Sequence, residues 1–468
     1  MTREQLLNTS VDAKPKLEEP SYPSNCLEFT RHVVHPPSSN DHANTSKISL
    51  TIIVVGAGLG GLTTAIALKQ SGHQVTVYEQ ARELSEIGAG IQVPSNSTRI
   101  LSKLGIEEYL KPFATEPEAI VIRRWQNGKV IGNTRLIPDF VDGFNAPYYV
   151  VHRADFLSAL HKKALDEGIE INLGSKVSDY HPIKGQIILE DGNIHGADLV
   201  VAADGIHSVA RKLVLGGQDM VFQQSGLAAY RTIVDVNRMR DDPEVSWVLD
   251  RPSMNVWVGD AGHVMTYTIG SGKTFNFVLA HPDDTDPSTW GQKDNISDMK
   301  NHFVGWDPVV TKIIGMVDST LKWPLMNGST LNRWVLGNLL ILGDAAHPML
   351  PYMSQGAAMA VEDGAALARA LSKIQSPAQL QEALGIFEKV RIKRTGHMHQ
   401  ASLLNSQLWH IPDGPWQEAR DAAMEPEVKG VPFAHSPNQW SDPATQMWCY
   451  GYDSEKEIDK AWEDFQRE

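Results

Sequence analysis

Residues 50–79 read LTIIVVGAGLGGLTTAIALKQSGHQVTVYE and decide the fold of the chain around them. The run from Leu50 to Val55 is apolar and β-branched, which is typical of a strand covered on both faces. Apolar residues then recur at helical spacing as far as Gly72, and a second β-branched run ends on Glu79. This order predicts a strand, a helix and a second strand parallel to the first.

The turn between the first strand and the helix contains Gly56-x-Gly58-x-x-Gly61. Gly56 permits a tight turn, Gly58 lets the backbone approach a pyrophosphate, and Gly61 lets the helix pack closely on the strand. Backbone N–H groups and the positive end of the helix dipole then face the phosphates. Glu79 can accept hydrogen bonds from ribose hydroxyls. The pattern predicts a dinucleotide site, and a glycine-rich loop of an unrelated α/β protein would not explain Glu79.

The composition excludes several classes of protein. The 468 residues suffice for two or more packed units, and the net charge of −14 disfavours a nucleic-acid or anionic-membrane surface. Cys26 and Cys449 are the only cysteines, which excludes a disulfide framework, a CxxC pair and a multi-cysteine zinc site. We find no apolar signal core near the start and no apolar run of membrane-spanning length. We therefore expect a cytoplasmic enzyme without a metal, a nucleic-acid partner or a membrane span.

Changes of pattern along the chain predict its domains. Residues 1–47 are polar and broken by prolines, as in a flexible tail. Residues 48–220 and 326–400 carry the α/β pattern and are interpreted as two parts of one domain. Between them, residues 221–325 contain short alternating runs that predict an inserted antiparallel sheet. Residues 401–468 are expected to form a helical or irregular C-terminal segment.

Two short stretches and one histidine within these domains are interpreted separately. Ser246–Leu249 is predicted to be one of the strands of the inserted sheet. Lys389–Arg394, at the start of a later helix, is a basic run, and such a run usually forms a solvated face. His347 stands in a rigid, proline-containing loop and is interpreted as structural rather than as a base.

Two residues outside the glycine loop also point to a ligand. Arg153 falls in the opening turn of a helix, where the dipole disfavours a cation. It is therefore expected to reach an anion such as a cofactor phosphate, the alternative being a solvated surface arginine. Gly90 belongs to a Gly-Ala-Gly turn without bulk, which suits a backbone that passes close to a flat ligand. A simple loop is the alternative there.

Three motifs stand in order along the chain: the glycine loop from Gly56 to Gly61, then Ala203-Asp204-Gly205, then Gly343-Asp344. From about residue 50 to the C-terminus this set resembles the single-component flavoprotein aromatic hydroxylases, and most of all their salicylate-hydroxylase-like branch in fungal metabolism. The resemblance implies the p-hydroxybenzoate hydroxylase-like fold. That fold is α/β, with a Rossmann-like FAD-binding domain, an inserted antiparallel β-sheet substrate domain and C-terminal helices. The N-terminal tail departs from the family.

The resemblance implies roles in FAD binding for several of these residues. Glu79 is expected to hold the adenosine ribose, Arg153 to lie along the cofactor, and Asp344 to bind its ribityl or pyrophosphate part. Asp204 is expected to orient the backbone and Arg211 beside the nicotinamide path, although it could simply cap a turn.

The helix that begins at Gly356 and Ala357 is expected to face the N1–C2=O edge of the flavin. Its positive end would stabilise negative charge on the flavin.

The substrate residues of this branch come from the inserted sheet. Here they are Tyr230-Arg231, where a tyrosine precedes an arginine, and Tyr267 on a later strand. Arg231 can orient a phenolate, carboxylate or carbonyl oxygen with its fixed fork, and Tyr267 can donate to the same oxygen. Some members carry a histidine base four residues before the tyrosine. That position is assigned here to Gly226, which leaves such a base in doubt.

The implied reaction is a monooxygenation. NADPH or NADH reduces FAD, O2 adds to form a C4a-hydroperoxyflavin, and the distal oxygen is transferred to a phenolic or other electron-rich aromatic molecule. The setting would be secondary metabolism or aromatic catabolism, and the protein a monomer or homodimer. Two alternatives stay open. One is a flavin-dependent epoxidase or dehydrogenase for a non-aromatic substrate such as an isoprenoid or alkaloid, and the other is a non-catalytic FAD-binding protein.

Overall fold

A computed structural model describes residues 45–84, 89–218, 220, 222–286 and 295–467. Almost all of the predicted N-terminal tail, residues 1–47, lies outside this range, and so do residues 85–88 of the loop that precedes Gly90. Within the described residues, none of the helices is long and apolar enough to cross a membrane.

The strands in the described residues are β1 (Thr51–Val55), β2 (Gln74–Tyr78), β3 (Gly90–Val93), β4 (Ala119–Arg124), β5 (Val130–Arg135), β6 (Tyr149–His152), β7 (Glu170–Asn172), β8 (Val177–His181), β9 (Gln186–Leu189), β10 (Ile194–Gly196), β11 (Leu199–Ala202), β12 (Gln223–Asp235), β13 (Met254–Gly259), β14 (Gly262–Ile269), β15 (Thr274–Pro282), β16 (Leu321–Asn327), β17 (Val335–Leu336) and β18 (Leu339–Ile341).

The α-helices there are α1 (Leu59–Gln70), α2 (Ser95–Lys103), α3 (Glu107–Leu110), α4 (Asp139–Phe144), α5 (Arg153–Asp166), α6 (Val209–Val214), α7 (Val236–Arg240), α8 (Asn295–His302), α9 (Pro308–Gly315), α10 (Gly356–Ser372), α11 (Leu380–Trp409), α12 (Pro415–Ala423), α13 (Glu425–Lys429), α14 (Pro443–Tyr450) and α15 (Ser454–Arg467).

A six-stranded sheet in the order β17-β18-β11-β1-β2-β7 carries the glycine loop at its centre. β1 pairs in parallel with β2 on one side and with β11 on the other. Residues 52–55 of β1 are all buried, as expected of a central strand covered on both faces. The strand, helix and parallel strand predicted from residues 50–79 are confirmed. The first two motif loops follow β1 and β11, and the third follows β18, so all three meet at the carboxyl edge of this sheet.

A second, seven-stranded sheet has the order β16-β12-β15-β14-β13-β4-β5. Its pairings are antiparallel except for the parallel pair of β13 and β4. The predicted antiparallel sheet is therefore present, but two of its strands, β4 and β5, precede residues 221–325 in the chain. Ser246–Leu249 is a 3₁₀ helix, so the prediction of a strand there was wrong. Four residues are too few for alternation to separate a strand from a turn of helix.

A buried ionic network joins α10 to α11. Arg391 is fully buried and donates to Glu362 and to Asp363, at 2.8 Å in each case. Arg394 is also buried and donates to Glu362 at 3.1 Å. The prediction that Lys389–Arg394 forms a solvated face was therefore wrong for its two arginines. Burying a charge is costly unless it is paired, and these guanidinium groups are paired with carboxylates on the neighbouring helix.

Candidate active site

One cavity of about 360 Å³ brings most of the predicted site residues together. The edge of the parallel sheet supplies the glycine loop and the loop after β18, and the start of α10 closes the same side. The large sheet supplies the opposite wall with side chains of β12, β14 and β15. Predicted residues that line the cavity are Gly58, Gly61, Gly90, Arg153, Arg231, Tyr267, Asp344, Gly356 and Ala357.

The three glycines of the first loop have different surroundings. Gly56 has φ of +101°, and a Cβ there would lie 2.4 Å from the carbonyl oxygen of Ala203. A Cβ on Gly61 would lie 2.0 Å from the carbonyl oxygen of Gly56, so this glycine is required by the contact of helix and turn. A Cβ on Gly58 would meet no protein atom within 4 Å. Gly58 therefore leaves open space on the cavity side, where a ligand can contact the backbone.

Glu79 fixes the glycine loop through hydrogen bonds to the backbone. Its carboxylate accepts from the N–H of Ala57 at 2.7 Å and from the N–H of Ala81 at 2.8 Å. It is half-buried at the end of β2 and is not among the residues that line the cavity. The structure thus gives Glu79 a role in positioning the loop, and its expected contact with a ribose stays a prediction.

Asp204 and Arg211 hold the second motif in place separately. One oxygen of Asp204 accepts from the Tyr180 hydroxyl at 3.0 Å and from the N–H of Val209 at 3.2 Å, at the start of α6. This capping is the alternative that the sequence left open. The Arg211 guanidinium donates to the carbonyl oxygens of Ile206 at 2.7 Å and Ala345 at 3.4 Å. Arg211 therefore ties the second motif to the loop of the third.

Asp363 fixes the third motif and the loop behind it. It is fully buried and accepts from the N–H of Gly343 at 3.1 Å and from Nε2 of His347 at 2.6 Å. Burial acts to raise the pKa of Asp363, but His347 and Arg391 outweigh it and lower the pKa to about 2. His347 has the structural position that was expected of it. Asp344 next to this anchor is exposed on the cavity wall, where its carboxylate can accept hydrogen bonds.

Arg231 on β12 and Tyr267 on β14 face the cavity from the large sheet, with β15 between them. Arg231 Nε is buried and finds no hydrogen-bond partner among the described residues. Burial lowers the pKa of Arg231, and the nearby Arg153 lowers it further, whereas Tyr267 acts to raise it. Tyr267 is 4% exposed, and burial raises the pKa of its hydroxyl. A half-buried guanidinium with a buried, vacant Nε–H at a cavity wall is suited to an anionic or carbonyl oxygen of a ligand.

Gly90 packs against Tyr267 from β3. A Cβ at Gly90 would lie 2.4 Å from the ring of Tyr267, and the Gly90 N–H donates to Oδ1 of Asn276 at 2.6 Å. The lack of a side chain at Gly90 is therefore required by Tyr267. Arg153, at the start of α5, is exposed and lines the same part of the cavity.

Tyr230 points away from the cavity. Its side chain is fully buried, donates to Asp298 at 2.5 Å and stacks on His281 with ring centroids 4.6 Å apart. Successive residues of a strand point to opposite faces of the sheet, so Tyr230 and its neighbour Arg231 cannot both face the cavity. This geometry contradicts the predicted substrate contact of Tyr230.

His263 also belongs to the site, although no sequence motif pointed to it. It lines the cavity, is 5% exposed, and lies four residues before Tyr267 on β14. Burial lowers its pKa well below the ordinary value, and the nearby His410 lowers it further. Gly226, to which a histidine position was assigned, does not line the cavity. Alternation along the predicted strand would have found His263, because His263, Met265 and Tyr267 share one face.

The comparisons with known proteins agree with this geometry. Residues 49–398 match the family described as an FAD binding domain. The chain belongs to that family. It is 34% identical to the FAD-dependent monooxygenase OpS4 of Beauveria bassiana, over 88% of this chain and 97% of the relative. It is also 34% identical to the 6-hydroxynicotinate 3-monooxygenase of Pseudomonas fluorescens, over 81% of this chain and 98% of the relative.

Solved structures give the same result for the fold. A salicylate hydroxylase in complex with substrate superposes with a TM-score of 0.72 and 25% identity, covering 89% of this chain and 98% of the other. The structure of FqzB superposes with a TM-score of 0.74 and 27% identity, covering 91% and 97%. The predicted family, the predicted fold and the prediction of FAD are confirmed. The protein is an FAD-dependent monooxygenase.

The residues that line the cavity are also suited to binding FAD. The space above Gly58 accommodates a backbone contact with phosphates, and the exposed carboxylate of Asp344 can accept from ribityl hydroxyls. Gly356 and Ala357 present the N-terminal end of α10, a helix of 17 residues, to the cavity. These groups surround the part of the cavity nearest the parallel sheet.

Proposed function

We propose that the protein uses NADPH or NADH and O2 to hydroxylate a phenolic or other electron-rich aromatic molecule. The observation that carries this proposal is the wall formed by Arg231, Tyr267 and His263, which faces the same cavity as the FAD loops. Polar groups on this wall are few. His263 and Tyr267 are buried, Arg231 is half-buried, and apolar side chains such as Met265 and Val278 lie between them. A flat ligand with one or two oxygens fits this arrangement.

Arg231 is assigned to an oxygen of the substrate. Its buried Nε–H lacks a protein acceptor among the described residues, and an unpaired buried donor costs about 1–3 kcal/mol, so a bound oxygen would relieve that cost. The planar fork would also fix the orientation of the ring. A phenolate or carboxylate would in addition compensate the charge that Arg231 and the neighbouring Arg153 place at this end of the cavity.

Tyr267 and His263 are assigned to the substrate hydroxyl. Burial keeps the Tyr267 hydroxyl protonated, since its pKa is raised, so it can donate to a substrate oxygen. Burial also keeps His263 neutral, since its pKa is lowered, so its ring can accept a proton. Removing the hydroxyl proton of a phenol increases the electron density of the substrate ring, which favours attack of that ring on an electrophilic oxygen.

FAD bound at these loops would supply the chemistry with O2 that no protein side chain can provide. The protein residues bind FAD and the substrate, orient them relative to each other and shield them from water. We assign Gly56, Gly58 and Gly61, with Glu79 behind them, to the diphosphate and ribose side, and Asp344, Gly356 and Ala357 to the ribityl and ring side. We also assign Arg153 and Gly90 to the junction with the substrate, and Asp204 to the backbone that borders it.

The names of the relatives support an aromatic substrate. Besides 6-hydroxynicotinate 3-monooxygenase, they include 3-amino-4-hydroxybenzoate 2-monooxygenase of Streptomyces cremeus and 3-hydroxybenzoate 6-hydroxylase 1 of Aquipseudomonas alcaligenes. Each name describes an aromatic ring that carries both a hydroxyl and a carboxyl group. The alternatives of a non-aromatic substrate and of a non-catalytic FAD-binding protein are not favoured by them.

A panel of hydroxybenzoates, hydroxypyridine carboxylates and polyketide phenols tests the proposal. Purified holoprotein is mixed with each compound, and the oxidation of NADPH and of NADH is followed together with product formation. We expect at least one phenol to stimulate oxidation and to gain one oxygen atom. Oxidation that no aromatic compound stimulates, with turnover of an isoprenoid or alkaloid instead, would contradict the proposal.

A further inference from the structure

His263 has a partner that lies outside the cavity. Its Nδ1 is 2.9 Å from Nε2 of His410, the residue that follows the last turn of α11. The two rings are nearly parallel, at 24°, with centroids 5.2 Å apart. One ring therefore donates to the other, and the second nitrogen of each ring is left for a further contact.

The exposure of the two histidines differs in a way that gives the pair a direction. His263 is 5% exposed and lines the cavity, whereas His410 is half-buried and does not line it. Trp409, Tyr352 and the sheet surround His263, with the Trp409 ring edge-on at 5.0 Å. A proton that leaves the cavity through His263 therefore meets His410 before it meets water.

We propose that His263 and His410 form a two-histidine relay that carries the hydroxyl proton of a bound phenol from the cavity to solvent, with His410 as its outer member. This inference rests on the proposed function and adds to it the route by which the proton leaves. His410 acts through His263 and does not contact the substrate.

The transfer balances without a further reactant. The substrate O–H bond breaks and its proton bonds to Nε2 of His263, while the Nδ1 proton of His263 passes to Nε2 of His410. His410 then releases its own Nδ1 proton to water. No atom is oxidised or reduced, and the net products are a bound phenolate, held by Arg231, and one proton in solvent. Both rings return to their first tautomers when a proton passes in the opposite direction, from solvent through His410 and His263 to the bound product.

The charged groups around His410 oppose storage of the proton. Arg420 donates to the carbonyl oxygens of Leu408 and Trp409, at 2.6 and 3.3 Å, directly beside the histidine in the chain. Arg420 is itself paired with Asp421 at 2.7 Å. Burial, and secondarily Arg420, lower the pKa of His410 to about 4, so a proton that reaches this ring is passed on. His410 therefore transfers the proton and does not retain it.

The test uses oxidised holoenzyme without NAD(P)H and the probe 4-nitrophenol, whose phenolate is coloured. Stopped-flow absorbance measures how fast bound phenol becomes phenolate. In His410→Gln the side-chain oxygen still accepts a hydrogen bond from His263 but cannot pass a proton on. We expect a slowing of tenfold or more, unchanged FAD content, and recovery of the rate when imidazole is added.

His399→Gln is the matched control, because His399 lies on α11, the helix that ends just before His410, and is also hydrogen-bonded, to Asn327 at 2.7 Å, away from the cavity. It should form phenolate at the wild-type rate. A wild-type rate in His410→Gln, or a slow rate that imidazole leaves unchanged, would overturn the relay and leave the proposed function standing. Wild-type protein that keeps bound 4-nitrophenol neutral would contradict both the relay and the proposed function.

Discussion

Gly58 and Gly61 belong to one motif, yet substitution should affect them in different ways. A methyl group on Gly58 meets no protein atom, and its φ of −74° suits alanine. We predict that Gly58→Ala leaves the unfolding free energy of the apoprotein unchanged and weakens FAD binding. A methyl group on Gly61 meets the carbonyl oxygen of Gly56, so Gly61→Ala should destabilise the apoprotein by about 1–3 kcal/mol, as overpacking does.

Denaturant unfolding of the two apoproteins, with FAD titration of each, checks this prediction. The variants are controls for one another, since both add one methyl group to the same loop. Equal loss of stability in both would mean that the space above Gly58 is not a ligand site.

Arg231 should affect turnover and leave the cofactor in place. Arg231→Ala should keep the normal FAD content and lower the rate of oxygenation by about 2–3 kcal/mol in barrier, by analogy with the loss of an oxyanion donor. Arg231→Lys should rescue poorly, because a point charge does not reproduce the fork. Tyr267→Phe should also uncouple the reaction, so that more H2O2 is released for each product formed.

Flavin absorbance and the ratio of H2O2 to product measure these effects. A loss of FAD and stability together, without uncoupling, would identify Arg231 as a structural residue of the sheet.

His73 joins the start of β1 to the end of α1 and makes that junction sensitive to pH. Its Nδ1 accepts from the N–H of Leu50 at 3.2 Å, and burial lowers its pKa to about 4. An unfolded histidine binds a proton below a pH of about 6.5, and the folded one does so only near 4, so acidification through this window favours unfolding. We predict a contribution from His73 of up to about 1.4 kcal/mol per pH unit there.

The unfolding free energy of wild type and His73→Asn, measured across that window, tests the contribution. The variant should be less stable at neutral pH but lose stability less steeply as the pH falls. Parallel curves for the two proteins would show that His73 does not titrate in this way.

The ionic network between α10 and α11 should determine both stability and FAD retention. Arg391→Met leaves Glu362 and Asp363 buried with less compensation, and breaking such a buried pair costs about 3–5 kcal/mol. Because Asp363 also holds Gly343, we predict that the variant loses FAD more readily than wild type. Lys393→Met, on the exposed face of the same helix, is the matched control.

Thermal unfolding and the FAD content after dialysis measure both effects. An Arg391→Met protein as stable as the control and with full FAD would show that the network does not support the site.

Local elements differ in how far the sequence predicts them. The loop from Gly56 to Gly61 was predictable because strand, turn and helix each leave a local signal within 30 residues. The burial of Arg391 and Arg394 was not, since their partners lie on another helix and a basic run looks the same whether solvated or paired. His263 and Tyr230 fall between these cases, because strand alternation gives the face, but only the fold shows which face meets the cavity.

The whole molecule brings two sheets to opposite walls of one cavity. The parallel sheet contributes backbone and helix ends, which suit the phosphates and polar edges of FAD, and the large sheet contributes buried polar side chains. The resemblance carried by three short motifs predicted this arrangement. Composition and periodicity alone predicted the dinucleotide site and the inserted sheet, but not that β4 and β5 join that sheet from an earlier part of the chain.

The proposed function requires that an aromatic substrate held by Arg231 and Tyr267 receives one atom of O2. The most direct measurement is the turnover of the best phenol of the panel under ¹⁸O2 with NADPH or NADH, with mass analysis of the product. We predict one ¹⁸O atom in the ring hydroxyl that is added by wild type, and mainly H2O2 from Arg231→Ala with normal FAD. A product whose new oxygen comes from water, or an Arg231→Ala protein that labels its product as efficiently as wild type, would overturn the proposed function.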